Sequence, residues 1–199
     1  MTETTVLDLA PQARIVAFLA EGVPDSRLDG RTPCPDYSVA DLLGHLTGLA
    51  VAFRDAARKD LGPTTDTDPG AATPALPPDW RTRLPRVLGE LAEAWRDPAA
   101  WTGMTRAGGV DLPGGIAGAV AVDELVVHGW DLARATGQEY APDQAALRAA
   151  HAFLAEAAAE SADGTDGLFG PALPVPDTAP LLARAIGLSG RDPDWTPPA

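Results

Sequence analysis

The segment Val120–Arg134 constrains this chain most. Read as a helix, it is apolar almost all the way round: Val120, Val122, Leu125, Val126, Val127, Trp130 and Leu132 cover nearly every direction. Such a helix belongs inside a protein, not on its surface. Yet Glu124, His128 and Asp131 stand within the same run. Glu124 and His128 are four residues apart and share a face, and Asp131 follows on the same side. A carboxylate and an imidazole taken out of water need partners, because an unpaired buried charge is costly. The two can satisfy each other as a hydrogen bond or ion pair. They can also ligate a metal ion, for which Glu-x-x-x-His at helical spacing supplies two ligands.

The rest of the chain alternates helix and loop. Asp8 to about Gly22 reads as an amphipathic helix with Ile15, Val16, Phe18 and Leu19 inward. Pro24 to Tyr37 reads as a loop. Ser38 is a candidate N-cap with Asp41 in a capping-box role, opening a helix to about Lys59 along the stripe Leu42, Leu46, Leu49, Phe53. Leu61 to Pro78 is rich in Gly, Pro, Thr and Asp and reads as an exposed loop. A third helix is expected from about Asp79 to Trp95, kinked or delayed by Pro85. Asp97 to Leu112 reads as irregular. Pro113 suits the first turn of the fourth helix, which Gly137 ends after Thr136. A fifth helix is expected from Asp143 to about Glu160, and a short one near Ala179 to Ile186. No segment alternates strongly enough to read as a strand. The expected fold is all-α, an antiparallel four-helix bundle over 1–160. A Pro- and Gly-rich C-terminal extension over 161–199 should pack on it. Leu42, Leu49, Phe53, Val120, Val127 and Leu154 are expected in the core.

The chain has three histidines. His45 lies between Leu42 and Leu49 and should point into the bundle. His128 belongs to the buried helix, and His151 lies between Leu147 and Leu154 on an apolar face. For any one alone, the plain reading is a hydrogen-bonded core residue. His45 arriving from a facing helix beside Glu124 and His128 changes the weighing, because bundle metal sites are built from inward side chains of facing helices. Two histidines and a glutamate with one open position is a set that catalytic zinc uses. Cys34, between Pro33 and Pro35, is better read as a packed loop residue than as a fourth ligand. Asp131 suits a role holding a ligand in place.

Composition excludes several classes. A net charge of −13 sets the chain against nucleic acid and anionic membranes. One cysteine allows no internal disulfide and fits a reducing cytoplasm. The N-terminal residues show no signal-peptide pattern, and no apolar run reaches the roughly 18 residues of a membrane span. Neither a phosphate loop nor a Gly-x-Ser-x-Gly elbow is present.

Two segments carry a resemblance. Thr32-Pro-Cys-Pro-Asp-Tyr-Ser-Val-Ala-Asp-Leu-Leu-Gly-His45-Leu and Asp123-Glu-Leu-Val-Val-His-Gly-Trp-Asp-Leu-Ala133 resemble the signature segments of the DinB-like family. The branch is that of the N-terminal domain of mycothiol-dependent maleylpyruvate isomerase. The match covers roughly residues 1–160. The resemblance implies a four-helix bundle with His45, Glu124 and His128 as ligands to a divalent metal. The run from Phe169 to Leu182, with Gly190-Arg-Asp-Pro, is similar to the tail of a compact subgroup. The isomerase of this branch adds a second α/β domain, which this chain is expected to be too short to hold. The resemblance implies a metal-dependent thiol S-transferase or isomerase-like enzyme acting on a small electrophile. Its thiol would be mycothiol, bacillithiol or another low-molecular-weight thiol. Zinc leads among the metals, with nickel, iron and manganese open. Trp130 and Phe53 are expected to wall the pocket. A metal-binding bundle without turnover, a metal-dependent hydrolase and a homodimer stay open as readings.

Overall fold

The computed structural model describes residues 6–35, 37–68, 75–161, 163–164 and 170–198. The extreme N-terminal residues, part of the loop expected over 61–78, and Phe169 of the tail motif therefore lie outside the described residues. Seven α-helices appear among the described residues: α1 Ala10–Glu21, α2 Val39–Arg58, α3 Pro63–Asp66, α4 Trp80–Ala94, α5 Gly114–Thr136, α6 Gln144–Glu160 and α7 Leu181–Leu188. The all-α reading holds. α1 packs on α4, α4 on α2, α2 on α5, and α5 back on α1, closing a four-helix ring. α6 lies against α5, and α7 against α6.

α2 begins where a serine can close its first turn. Ser38 is extended and its hydroxyl accepts from Asp41 N, while the Asp41 carboxylate accepts from Ser38 N at 3.0 Å. That reciprocal pair satisfies two otherwise orphaned donors and sets the start of the helix carrying His45. Leu42, Leu46, Leu49 and Phe53 are buried along its length. α5 is buried nearly throughout, as its sequence requires, and Gly137 ends it in the left-handed region at φ +74°. Val120, Val127 and Leu154 are also in the core.

α1 corrects one expectation. Val16 and Leu19 are buried, but Phe18 is 71% exposed. Val16 and Phe18 are two residues apart, about 200° round a helix, and cannot share a face. Gln12 takes the inward place instead. Its amide donates to Leu125 O at 3.0 Å and to the Tyr140 hydroxyl at 2.8 Å, and Tyr140 donates in turn to Val126 O. This buried polar bridge ties α1 to the turn of α5 that carries Glu124.

The stretch expected to be irregular holds a hairpin. β1 Met104–Ala107 pairs antiparallel with β2 Val110–Pro113, with Ala107 opposite Val110. Gly108 and Gly109 make its two-residue turn at φ +60° and +77°, the left-handed pair that a tight right-twisted hairpin demands. Thr105 anchors the ribbon by donating to Ala56 O near the end of α2. Pro113 ends β2 and precedes α5 instead of entering its first turn. α3 adds one helical turn to the loop after α2.

Candidate metal centre

α2 and α5 bring three side chains to one point. His45 Nε2 lies 3.2 Å from Glu124 Oε2, and His128 Nε2 lies 3.1 Å from the same oxygen. One donor atom from each residue falls within 4.8 Å of the others. The imidazole rings stand nearly perpendicular, with centroids 4.8 Å apart. The sequence reading brought these three together, and the structure places them so. Side-chain exposure is 15% for His45, 12% for Glu124 and 8% for His128, which leaves a narrow opening toward solvent.

Behind His128 runs a second layer. Its Nδ1 donates to Asp131 Oδ2 at 2.9 Å, one turn along α5. Asp131 is fully buried. Its two oxygens accept from Arg191 Nε at 3.0 and 3.1 Å. Donation from Nδ1 turns Nε2, the other ring nitrogen, toward Glu124. Asp131 thus holds a neighbouring group and does not join the cluster.

Burial by itself would push the Glu124 carboxyl up, but the two histidines outweigh it and hold the group well below the usual carboxylate range. Burial likewise pushes His128 down, yet Glu124 and Asp131 raise it from 6.5 to about 9. Asp123, next to Glu124 in sequence, faces the opposite situation. Its Oδ1 is buried without a hydrogen-bond partner, and burial together with the Glu124 charge raises its carboxyl well above the ordinary range.

The remaining candidates lie elsewhere. His151 is half-buried on α6, where burial and nearby Arg184 of α7 lower it. Cys34 is half-buried in the loop before α2, and neither joins the cluster. Trp130 is buried, two residues past His128 and so about 200° round α5. Phe53 is buried eight residues beyond His45, ~12 Å along α2. These placements argue against the expected role of the two rings as pocket walls. The aromatic residue at the site is Tyr37, whose ring centroid is 5.3 Å from that of His45 and 6.4 Å from that of His128. Its hydroxyl lies 3.5 Å from His45 Nδ1. Tyr37 stood inside the first signature segment, immediately before the Ser38 cap, but nothing local marks it as a site residue. A groove between α1 and α4, lined by residues such as Ala13, Ala17, Leu88 and Ala92, contains none of these groups.

A four-helix ring whose facing helices α2 and α5 bring two histidines and a glutamate together is an all-α bundle of the DinB-like type. The family model described as the mycothiol maleylpyruvate isomerase N-terminal domain matches residues 9–133, and the chain belongs to that family. The chain is also similar to the crystal structure of the mycothiol-dependent maleylpyruvate isomerase, at 18% identity and a TM-score of 0.56. The likeness covers 98% of this chain and 94% of that one. A histidine-to-alanine mutant of that enzyme gives the same values. The likeness thus runs nearly the whole length of both chains. No curated protein sequence matches the chain. Among the described residues, no helix is long and apolar enough to cross a membrane.

Proposed function

We propose that His45, Glu124 and His128 hold one divalent metal ion, and that the protein is a metal-dependent thiol transferase or isomerase-like enzyme acting on a small electrophile. The observation that carries this reading is the aim of both Nε2 atoms at a single carboxylate oxygen, at 3.1 and 3.2 Å. Two nitrogen donors and one oxygen donor of this kind suit zinc, nickel, iron or manganese. His128 is already turned for ligation by its Nδ1–H bond to Asp131.

Among the described residues, no fourth histidine, cysteine or acid joins the group. A three-ligand set leaves a coordination position for a small molecule, which favours turnover over a purely structural ion. Charge points the same way. Glu124 and Asp131 carry two negative charges and Arg191 one positive. A divalent ion brings the local sum to one positive, which one anionic ligand neutralises. When bound, such an ion stabilises a thiolate at neutral pH. The family's mycothiol connection makes a low-molecular-weight thiol the proposed cofactor. Tyr37, beside both histidines, is placed to flank whatever occupies the open side. The single cysteine and the absence of disulfides fit work in the cytoplasm.

The test is optical. Mycothiol or bacillithiol added to the cobalt-substituted protein should produce a thiolate-to-metal charge-transfer band. A cobalt spectrum unmoved by either thiol would remove the thiol from the reading and leave metal-dependent hydrolysis as the alternative.

A further inference from the structure

We infer that Arg191, in the C-terminal segment after α7, is a positioning residue for the metal site, acting through Asp131 on His128. The inference rests on the proposed metal reading. Arg191 is 60 residues from Asp131 in sequence, and its side chain is only 10% exposed. Its Nε bridges both oxygens of a fully buried carboxylate. Its Nη1 donates to Ser189 O at 3.1 Å, which fixes the guanidinium to its own turn of chain. The Asp131 carboxylate is therefore held on one side by a cation and on the other by His128 Nδ1.

Two consequences follow from elementary electrostatics. Without the guanidinium, Asp131 would be a buried anion satisfied by the imidazole alone, and the site would be too negative by one charge. With it, Asp131 is neutralised without losing its role as acceptor for Nδ1–H. His128 can then offer Nε2 in a fixed direction, the arrangement that outer groups give to metal-bound histidines. The tail is joined to α5 by a second, independent contact. Arg134 Nε donates to Trp195 O at 3.0 Å. The two contacts lie on neighbouring turns of α5 but differ in kind. Arg191 touches the acid behind a ligand, whereas Arg134 donates to tail backbone and lies over the Trp130 ring.

That difference supplies the test. Cobalt affinity and the visible spectrum of the cobalt site are measured for the full chain and for Arg191→Met, Arg191→Lys, Asp131→Asn, Arg134→Met and His45→Ala, with far-UV circular dichroism confirming folding. Arg191→Met and Asp131→Asn should each weaken cobalt binding ~10–100-fold, the usual effect of removing a group behind a ligand, and each should shift the spectrum. The double variant should bind no more weakly than the weaker single one, because both act through one path. Arg191→Lys should fall nearer the parent than Arg191→Met. Arg134→Met should leave affinity and spectrum unchanged. If Arg191→Met fails to fold, Asp131→Asn and Arg191→Lys decide by the same criteria. Parent-like binding in Arg191→Met beside lost binding in His45→Ala would overturn the positioning role and leave the metal reading standing. Equal weakening by Arg134→Met would also overturn it, since tail docking alone would then be the cause. A parent protein that takes up no cobalt would overturn both.

Discussion

At the residue scale, His128 answers to two masters. Without an ion, Glu124 and Asp131 favour its protonated form and raise it from 6.5 to about 9. With an ion, only the neutral ring can ligate. A group raised in the folded state contributes its full stabilisation below its unfolded value, and loses it as pH climbs through the folded value. Asp123, also raised, pulls the same way, because the folded state resists its ionisation. Glu124 is lowered from 4.5, so its contribution is complete above that value and lost only in acid. The metal-free protein should therefore lose stability as pH rises from 6.5 to 9. Urea denaturation in the presence of a chelator checks this, and a flat or rising profile would contradict it. Metal loading should reverse the trend, since ion and proton compete for the same nitrogen. The Glu124 and His128 pair on α5 is legible because both residues interrupt an apolar run at helical spacing. The Asp131–Arg191 contact was not legible, because no local pattern links residues 60 positions apart.

At the element scale, the site depends on how α5 is seated between its neighbours. Gly118 shows how close that seating is. A Cβ built there would lie 2.5 Å from the Trp101 ring, on the side where the segment before the hairpin crosses α5. Trp101 cannot easily yield. Its indole donates to Trp95 O at 2.8 Å, and the two indole rings stack edge to face with centroids 5.0 Å apart. Gly118→Ala should gain helix propensity yet lose net stability, by ~1–3 kcal/mol as overpacking ordinarily costs. Chemical denaturation at fixed pH measures the loss, and a stabilised variant would show that Trp101 moves freely. The helices were readable because their signals are local and repeated: a capping box at Ser38 and Asp41, an apolar stripe, a stop at Gly137. The hairpin was missed because each strand has only four residues. Its one strong mark is the Gly108-Gly109 pair, whose left-handed backbone makes the turn. Phe18 is apolar yet faces outward, because its angle round α1 and not its hydrophobicity sets its side.

At the scale of the whole molecule, the chain folds as a ring of four helices, with α6 laid against α5, α7 against α6, and the tail tied to α5 through Arg134 and Arg191. The family match over residues 9–133 contains all three converging side chains but stops before the tail. The three converging residues thus lie within the family match, while Arg191 lies beyond its end at residue 133. An ion bound only by the native state stabilises that state in proportion to its occupancy, so site and fold should report on each other. The central claim is that His45, Glu124 and His128 together hold one ion. Its most direct test is elemental analysis of the purified protein, native and after reconstitution, beside His45→Ala, Glu124→Ala and His128→Ala shown to be folded by circular dichroism. One divalent ion per chain in the parent, and loss of that ion in each variant, is the expected result. A parent that stays metal-free after exposure to zinc, nickel, iron and manganese, or a His45→Ala variant that keeps its full complement, would contradict the claim.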